Sequence, residues 1–385
     1  MTALIFLFLL LFSYIIIGYP ALQWILARIK PRAIRRNTLR EPISIIFCAR
    51  NEASLIPKRI ENILSMKYPP ELMELIIVSD GSTDATNEAV IAFDDDRVKL
   101  VPLESPSGKA VALNAGVNAA SHELLLFGDA RQTFYPDVAQ KLIDHFHDPQ
   151  IGAVSGRLII QPEQADGAAS GIGSSYWNYE VWLRNNEAAS DSVIGVTGAI
   201  YALRKKCFTP LPAGTILDDL LIPMRAANQG FRIAYDAEAI AVDTKPVDNA
   251  GELARKVRTL YGNLQLMRLA PELFIPWQNR LWFRFISHKI LRLFLPFMLA
   301  GCLLSSLFAG GILTAFGILQ LACWGAAWMT LKTGNSSLPG KALSAFLLLN
   351  AAVILAWKCF FTGNENVWGT ASSNLVSTPT NSKRQ

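Results

Sequence analysis

Residues 2–27 are apolar and carry no charged side chain, and residues 293–331 are uncharged over 39 consecutive positions. A helix needs about 20 apolar residues to span a bilayer. The first run therefore supplies one span and the second supplies two, with Ala309-Gly310-Gly311 as the natural turn between them. Residues 343–361 offer a further, weaker span that contains Lys358. A cleaved signal peptide is the competing reading of residues 2–27. It is disfavoured because no Lys or Arg precedes the run, which is also longer than a signal core. These runs exclude an ordinary soluble enzyme.

The charge is distributed to match. Residues 28–40 carry six basic side chains and no acid, residues 41–288 hold 30 of the 31 acids against 23 basic residues, and the rest of the chain has seven basic residues and one acid. The basic excess lies beside the apolar runs and not on the folded middle, which argues against a nucleic-acid partner. Basic residues flanking a span mark its cytoplasmic end, so residues 41–288 are expected in the cytoplasm, beneath a bacterial-type inner or plasma membrane. The expected organisation is a transmembrane helix at 1–28, a basic linker at 29–40, one soluble domain at 41–279, an amphipathic interfacial helix at 280–292, about three spans within 293–361, and a polar disordered tail at 362–385. Five scattered cysteines without CxxC spacing give no metal or disulfide framework. Of the four histidines, the pair His145 and His147 reads as a solvated helix end, and His288 as an interfacial anchor able to touch lipid phosphate.

Within the middle segment, strand-like runs at 43–49, 75–80, 98–103 and 123–129 alternate with helical patterns near 54–66, from Asp84 and from Lys109. That alternation predicts an α/β domain with a mostly parallel sheet and helices on both faces. Ligands in such sheets sit beyond the carboxyl ends of the strands. The residues there are Arg50-Asn51-Glu52, Asp80-Gly81-Ser82 and Asp129-Ala130-Arg131. Each motif also has a purely structural reading: a tight turn with a helix cap at 80–84, and an acidic helix start at Asp218-Asp219.

Taken as an ordered set, ARNEA (49–53), VSDGSTDAT (78–86), SGKAVALNAG (107–116), LLFGDAR (125–131), VTGAIYALR (196–204) and ILDDLLIPMRAANQGFRIAY (216–235) resemble the family-2 glycosyltransferases. The flanking apolar runs resemble the membrane-bound branch, which includes cellulose, hyaluronan and poly-N-acetylglucosamine synthases and ceramide glucosyltransferases. The resemblance implies a glycosyltransferase A-type nucleotide-sugar domain plus transmembrane helices. It implies inverting transfer of a sugar from a nucleotide diphosphate sugar, UDP-linked by family default, to a lipid or glycan acceptor. It names no protein partner. By position it assigns donor binding to Asn51, Glu52, Asp80, Lys109, Asp129, Arg131 and Arg258, the general base to Asp219, and its acidic neighbour to Asp218.

Two departures stand out. Where the family carries Asp-x-Asp for Mg²⁺ or Mn²⁺, this chain has Asp129-Ala130-Arg131. Guanidinium cannot ligate a cation, so either Asp129 alone holds the metal with phosphate and water, or Arg131 itself meets the leaving group. Arg131 paired with Asp129 is a further, structural reading. Where processive synthases carry Gln-x-x-Arg-Trp, Arg258 is kept but Arg255 and Thr259 replace the outer residues, which removes an aromatic face for a growing glycan. Single-sugar transfer and processive synthesis both remain open, as does an aromatic segment at 176–182 that faces either acceptor or core. A nucleotidyltransferase is disfavoured by the lack of a Gly-rich N-terminal loop with Arg and Lys. A degenerate, non-catalytic membrane subunit is favoured only by the missing second Asp.

Overall fold

A computed structural model describes residues 1–160, 169–244, 249–333 and 337–363. Among these residues eight strands form one sheet: β1 (Ile43–Ala49), β2 (Met73–Asp80), β3 (Val98–Leu103), β4 (Leu124–Asp129), β5 (Thr133–Phe134), β6 (Ile151–Ile160), β7 (Ile200–Arg204) and β8 (Arg232–Asp243), in the spatial order β3-β2-β1-β4-β7-β6-β8-β5. The first four strands in that order run parallel, β7 lies antiparallel between β4 and β6, and β6 pairs parallel with β8. All positions of β2, and all of β1 except Cys48, are buried. Both faces are covered, which is why these strands read as unbroken apolar runs instead of alternating ones.

Alternate residues of β1 enter opposite cores. Ile46 packs with Ala110, Leu113 and Val117 of the helix Lys109–Ala119, while Ile45 and Phe47 pack with Ile56, Ile60 and Ile63 of the helix Ile56–Leu64. The upper helix sits so close that a Cβ on Gly116 would lie 2.6 Å from Ile46 Cγ2. This packing brings the carboxyl ends of β1, β2 and β4 to one edge. The pattern read near 54–66 forms the shorter helix Ile56–Leu64, and the one from Asp84 forms Thr86–Ile91.

Among the described residues four helices are long and apolar enough to cross a membrane: Thr2–Ile29, Trp282–Leu307, Gly311–Thr333 and Ala342–Thr362. Gly310 and Gly311 adopt φ of 80° and 57° in the turn between the middle pair. Residues 364–385, which hold nearly all of the expected tail, lie outside the described residues. Two of the helices contain π turns, at Tyr14–Gly18 and Ile286–Ile290. The turns meet, with Tyr14 Oη and Ser287 Oγ 2.7 Å apart.

The segment 280–292 runs on into a membrane helix, and part of its polar side is packed inward. Arg284 and His288 are buried, the first because its guanidinium donates to the carbonyls of Glu187 and Ser192, each at 2.7 Å. The solvated reading of His145 is corrected. It is buried with Nε2 3.0 Å from Asp236, since the helix just before it, Val138–Ile143, packs against β8.

Candidate active site

The β1 and β2 ends are latched together by Asn51. It adopts φ 54°, a left-handed conformation that Asn tolerates better than most residues. Its Oδ1 accepts the Thr83 N–H at 2.8 Å and its own N–H donates to Ser82 Oγ at 3.2 Å. Glu52 lies in the turn before the next helix: its N–H donates to Thr86 Oγ1 at 2.9 Å and its carbonyl accepts from Leu55 and Ile56. Asp80 is buried and accepts the N–H groups of Ser107 at 2.6 Å and Gly108 at 2.9 Å. Its carboxylate therefore shapes the loop before Lys109. Gly81, at φ 58°, has to be glycine, because a Cβ there would lie 2.4 Å from the backbone nitrogen of Pro106.

That loop aims Lys109 across the sheet edge. Its Nζ lies 3.2 Å from Asp129 Oδ1 and 3.3 Å from Asp218 Oδ2. Burial pulls the ammonium's pKa down, but Asp218 and Asp129 outweigh it and hold Lys109 well above its ordinary value. Three expected site residues from three distant segments thus converge.

Asp218 and Asp219 open the helix Asp218–Asn228. The Asp219 carbonyl accepts the Val196 N–H at 2.8 Å, and a Cβ on Gly198 would lie 3.5 Å from Asp219 Oδ2. Burial, and next the charge of Asp218, push the Asp219 carboxyl up to about 6, against the pull of Lys109, Lys289 and Arg184. A carboxylate so placed holds a proton far better than an exposed one.

Arg258 lies on the helix Asn249–Leu269. Residues 258, 262 and 265 share a helix face. Gln265 on that face clamps the 214–216 loop, with Oε1 accepting the Ile216 N–H at 3.1 Å and Nε2 donating to the Gly214 carbonyl at 3.0 Å. A Cβ on Gly262 would lie 2.6 Å from Leu217 Cγ.

Arg131 turns away from Asp129. Its Nη2 pairs with Asp243 Oδ2 at 2.9 Å, alongside Gln132 Nε2 at 3.1 Å from the same oxygen. The reading of an Arg131–Asp129 pair is thereby corrected: Asp129 meets Lys109, and the β8 end supplies the acid for Arg131. No three His, Cys, Asp or Glu side chains converge on a metal position among the described residues. A hard cation that takes most ligands from phosphates and water needs only one or two protein carboxylates. The half-exposed Asp129 meets that requirement as a single ligand.

Three residues at the site were given no role by the sequence, although two of them lie within VTGAIYALR (196–204). Tyr201, fully buried and stacked on Phe127 at 4.6 Å, senses Asp218, Lys109 and Asp219. Gly198 makes room for Asp219, and Arg184 adds charge from the helix Ala169–Ser190. In the aromatic segment, Tyr179 stacks with the exposed Trp182 at 6.3 Å, while the side chains of Tyr176 and Trp177 lie outside the described residues.

Comparison with known proteins decides the family. The profile for glycosyl transferase family 2 matches residues 44–206, and that for glycosyl transferase family group 2 matches residues 126–357, more than half of the chain. The chain belongs to the family-2 glycosyltransferases. This glycosyltransferase is 26% identical over 233 residues to the poly-beta-1,6-N-acetyl-D-glucosamine synthase of Staphylococcus aureus and 25% identical to that of Staphylococcus epidermidis. The match spans 59% of this chain and 56% of each relative, so the chain covers about half the length of the curated relatives it matches. A mannosyltransferase from Pyrobaculum calidifontis, solved with GDP-Man and Mn²⁺, superposes with a TM-score of 0.69 at 21% identity over 94% of this chain and 99% of that one. The fold of the glycosyltransferase, apolar helices included, is therefore shared with a solved enzyme.

Proposed function

We propose that this glycosyltransferase transfers a sugar with inversion from a nucleotide diphosphate sugar, UDP-linked by family preference, to a hydroxyl of a lipid-linked or glycan acceptor at the cytoplasmic membrane face. The observation that carries the reading is the pairing of Asp219, a carboxyl raised to about 6, with an ammonium held between Asp129 and Asp218 at the same sheet edge. Asp219 takes the proton from the acceptor hydroxyl, the oxygen bonds to the anomeric carbon, and the bond from that carbon to the diphosphate oxygen breaks. Proton transfer to a group tuned near the working pH is efficient general-base catalysis.

Lys109 and Arg258 meet the charge that develops on the diphosphate, the role that oriented cations serve in transfer chemistry. Asn51, Glu52 and Asp80 form the walls for base and ribose, Asp80 by fixing the loop. Arg131 lies along the same edge and joins the diphosphate contacts. When bound, Mg²⁺ or Mn²⁺ on Asp129 neutralises the diphosphate further. The Mn²⁺ held with GDP-Man by the Pyrobaculum enzyme supports a divalent cation in this fold.

The similarity to poly-beta-1,6-N-acetyl-D-glucosamine synthases favours a second reading, processive polymer synthesis, and Thr259 at the place of an acceptor-stacking aromatic favours single transfer. The test is turnover of a nucleotide-sugar panel by the purified protein with and without Mn²⁺, with the product sized. A discrete glycolipid supports single transfer and a long polymer supports the synthase. No turnover of any donor overturns both.

A further inference from the structure

The last apolar helix, Leu338–Thr362, covers the segment that reads as a weaker span in the sequence. Its neighbours place both of its ends on the side of the soluble domain. The span Trp282–Leu307 leaves that domain, since Arg284 and His288 near its start are bound to Glu187 of the helix Ala169–Ser190. The helix Gly311–Thr333 then returns antiparallel to it. Thr314 Oγ1 donates to the Ser306 carbonyl at 3.3 Å, and Gln320 Nε2 to the Leu299 carbonyl at 2.9 Å. At 1.5 Å per residue Thr333 lies about 33 Å from the turn at 308–310, as does Phe285 on the outgoing helix. Phe285 packs in the core of the soluble domain. Four residues separate Thr333 from Leu338, and such a connection reaches at most about 18 Å, well short of a bilayer core of about 30 Å. Leu338 therefore starts on the domain side.

The other end is held by the domain itself. Arg268 Nη2 donates to the Phe360 carbonyl at 3.2 Å, and Ala352, Ala356 and Cys359 pack with Leu253, Val257, Tyr261 and Leu264 of the helix Asn249–Leu269. That helix also carries Arg255, Lys256 and Arg258, and charges in such number do not enter hydrocarbon. The stretch between the ends gains little depth. Ser344 Oγ donates to Thr330 Oγ1 at 3.3 Å, and Trp357 Nε1 to the Leu293 carbonyl at 2.9 Å. Thr330 and Leu293 lie about 28 and about 21 Å from the turn at 308–310, whereas Ser344 and Trp357 are about 20 Å apart along their own helix. A depth change of about 7 Å over that length makes the helix run along the membrane more than through it.

The side turned away from the domain suits a membrane surface. Ile354, Lys358 and Phe361 recur at i, i+4 and i+7 and are exposed, opposite Ala352, Ala356 and Cys359. Apolar side chains around one ammonium fit the boundary between acyl chains and headgroups, where the former enter and the lysine reaches lipid phosphate. We propose that the helix Leu338–Thr362 does not cross the membrane but lies along its domain-side surface. Its Ile354, Lys358 and Phe361 face is set into the lipid of that leaflet, and Gly363 is on the same side as the soluble domain. The helix Asn249–Leu269, which bears Arg258, thereby rests on a lipid-held support.

The test is protease protection of the full chain, with an epitope tag inserted after Gly363, in sealed vesicles of both orientations. The tag and the soluble domain are expected to be digested in the same orientation and both protected in the other. A tag digested in one orientation while the domain is digested in the other overturns the placement. A tag after Gln385 repeats the measurement with the helix end untouched. The lipid face is tested by photocrosslinking in membranes, with benzoylphenylalanine replacing Ile354 or Phe361, and Ile312 as a reference position exposed on a span. Phospholipid adducts are expected from all three. Adducts from position 312 with none from 354 and 361 overturn the lipid-facing surface.

Discussion

Asp219 sits where chemistry and stability pull apart. Its carboxyl is raised to about 6 by burial and by Asp218, so its ionised form is disfavoured in the folded state relative to the unfolded chain. That penalty is absent below about pH 4, where both states are protonated, and complete above about 6. Asp219→Asn is therefore expected to melt no lower than the unaltered protein at pH 8, while transfer falls by about 10²–10⁴-fold, the range for loss of a general base. In the unaltered enzyme kcat/KM should fall about tenfold per pH unit below about 6 and level off above it, since a single base must be deprotonated. An Asn variant with full turnover, or a profile flat down to pH 5, would remove Asp219 from the mechanism. Arg131 allows a test of the metal question. Arg131→Asp restores two carboxylates at the β4 end and releases the Asp243 pair. The Mn²⁺ concentration for half-maximal activity should drop about tenfold, because cation affinity follows the number of charged ligands. An unchanged Mn²⁺ titration would show that the second position plays no part in cation binding.

At the scale of elements, the parallel strands and their carboxyl-end motifs were readable because burial on both faces leaves a continuous apolar run, and Gly or Asp marks where each run stops. Asn51, Asp80 and Asp129 could be placed at one edge for that reason alone, whereas Lys109 and Asp218, each at a helix start, were pointed to only by the family resemblance. Other parts were not readable. The antiparallel insertion of β7 between β4 and β6 is a matter of register between distant segments, and the Asp243 partner of Arg131 lies 112 residues away in the chain. His145 resembled a solvated residue because Asp236, which buries it, lies on β8. Arg184 and Tyr201 sat in quoted or neighbouring segments without any spacing that tied them to Asp219. The helix Asn249–Leu269 makes the element-scale prediction. Gly262 lets it rest on Ile216 and Leu217, directly before the acidic pair. Gly262→Ala overpacks that contact, and such insertions cost about 1–3 kcal/mol. The variant should melt lower and show a raised donor KM, since Arg258 moves with the helix. A variant with unchanged melting and unchanged KM would mean that the contact positions nothing.

At the scale of the whole molecule, the same helix ties the site to the membrane part: Leu253, Val257, Tyr261 and Leu264 pack with Ala352, Ala356 and Cys359 of the last helix. The N-terminal helix is tied differently, through polar contacts that a sequence of apolar residues would not suggest. Tyr19 Oη donates to Glu187, which His288 also engages, and Gln23 Oε1 accepts from Ser190 Oγ at 3.3 Å. Glu187 is fully buried, and despite that burial His288 and Tyr19 hold its carboxyl below the usual range. A depressed carboxyl contributes stability that is present above its unfolded pKa and is lost as pH falls through the folded value. Removing one donor leaves a buried carboxylate short of a partner, which costs about 1–3 kcal/mol. Tyr19→Phe should therefore lower the melting temperature of the detergent-solubilised protein at pH 7, and the difference from the unaltered protein should shrink as the pH is lowered and Glu187 takes up a proton. Equal melting of the two proteins at pH 7, or a difference that grows in acid, would mean that the N-terminal helix is held by apolar packing alone and that the tyrosine to glutamate contact contributes nothing to its docking.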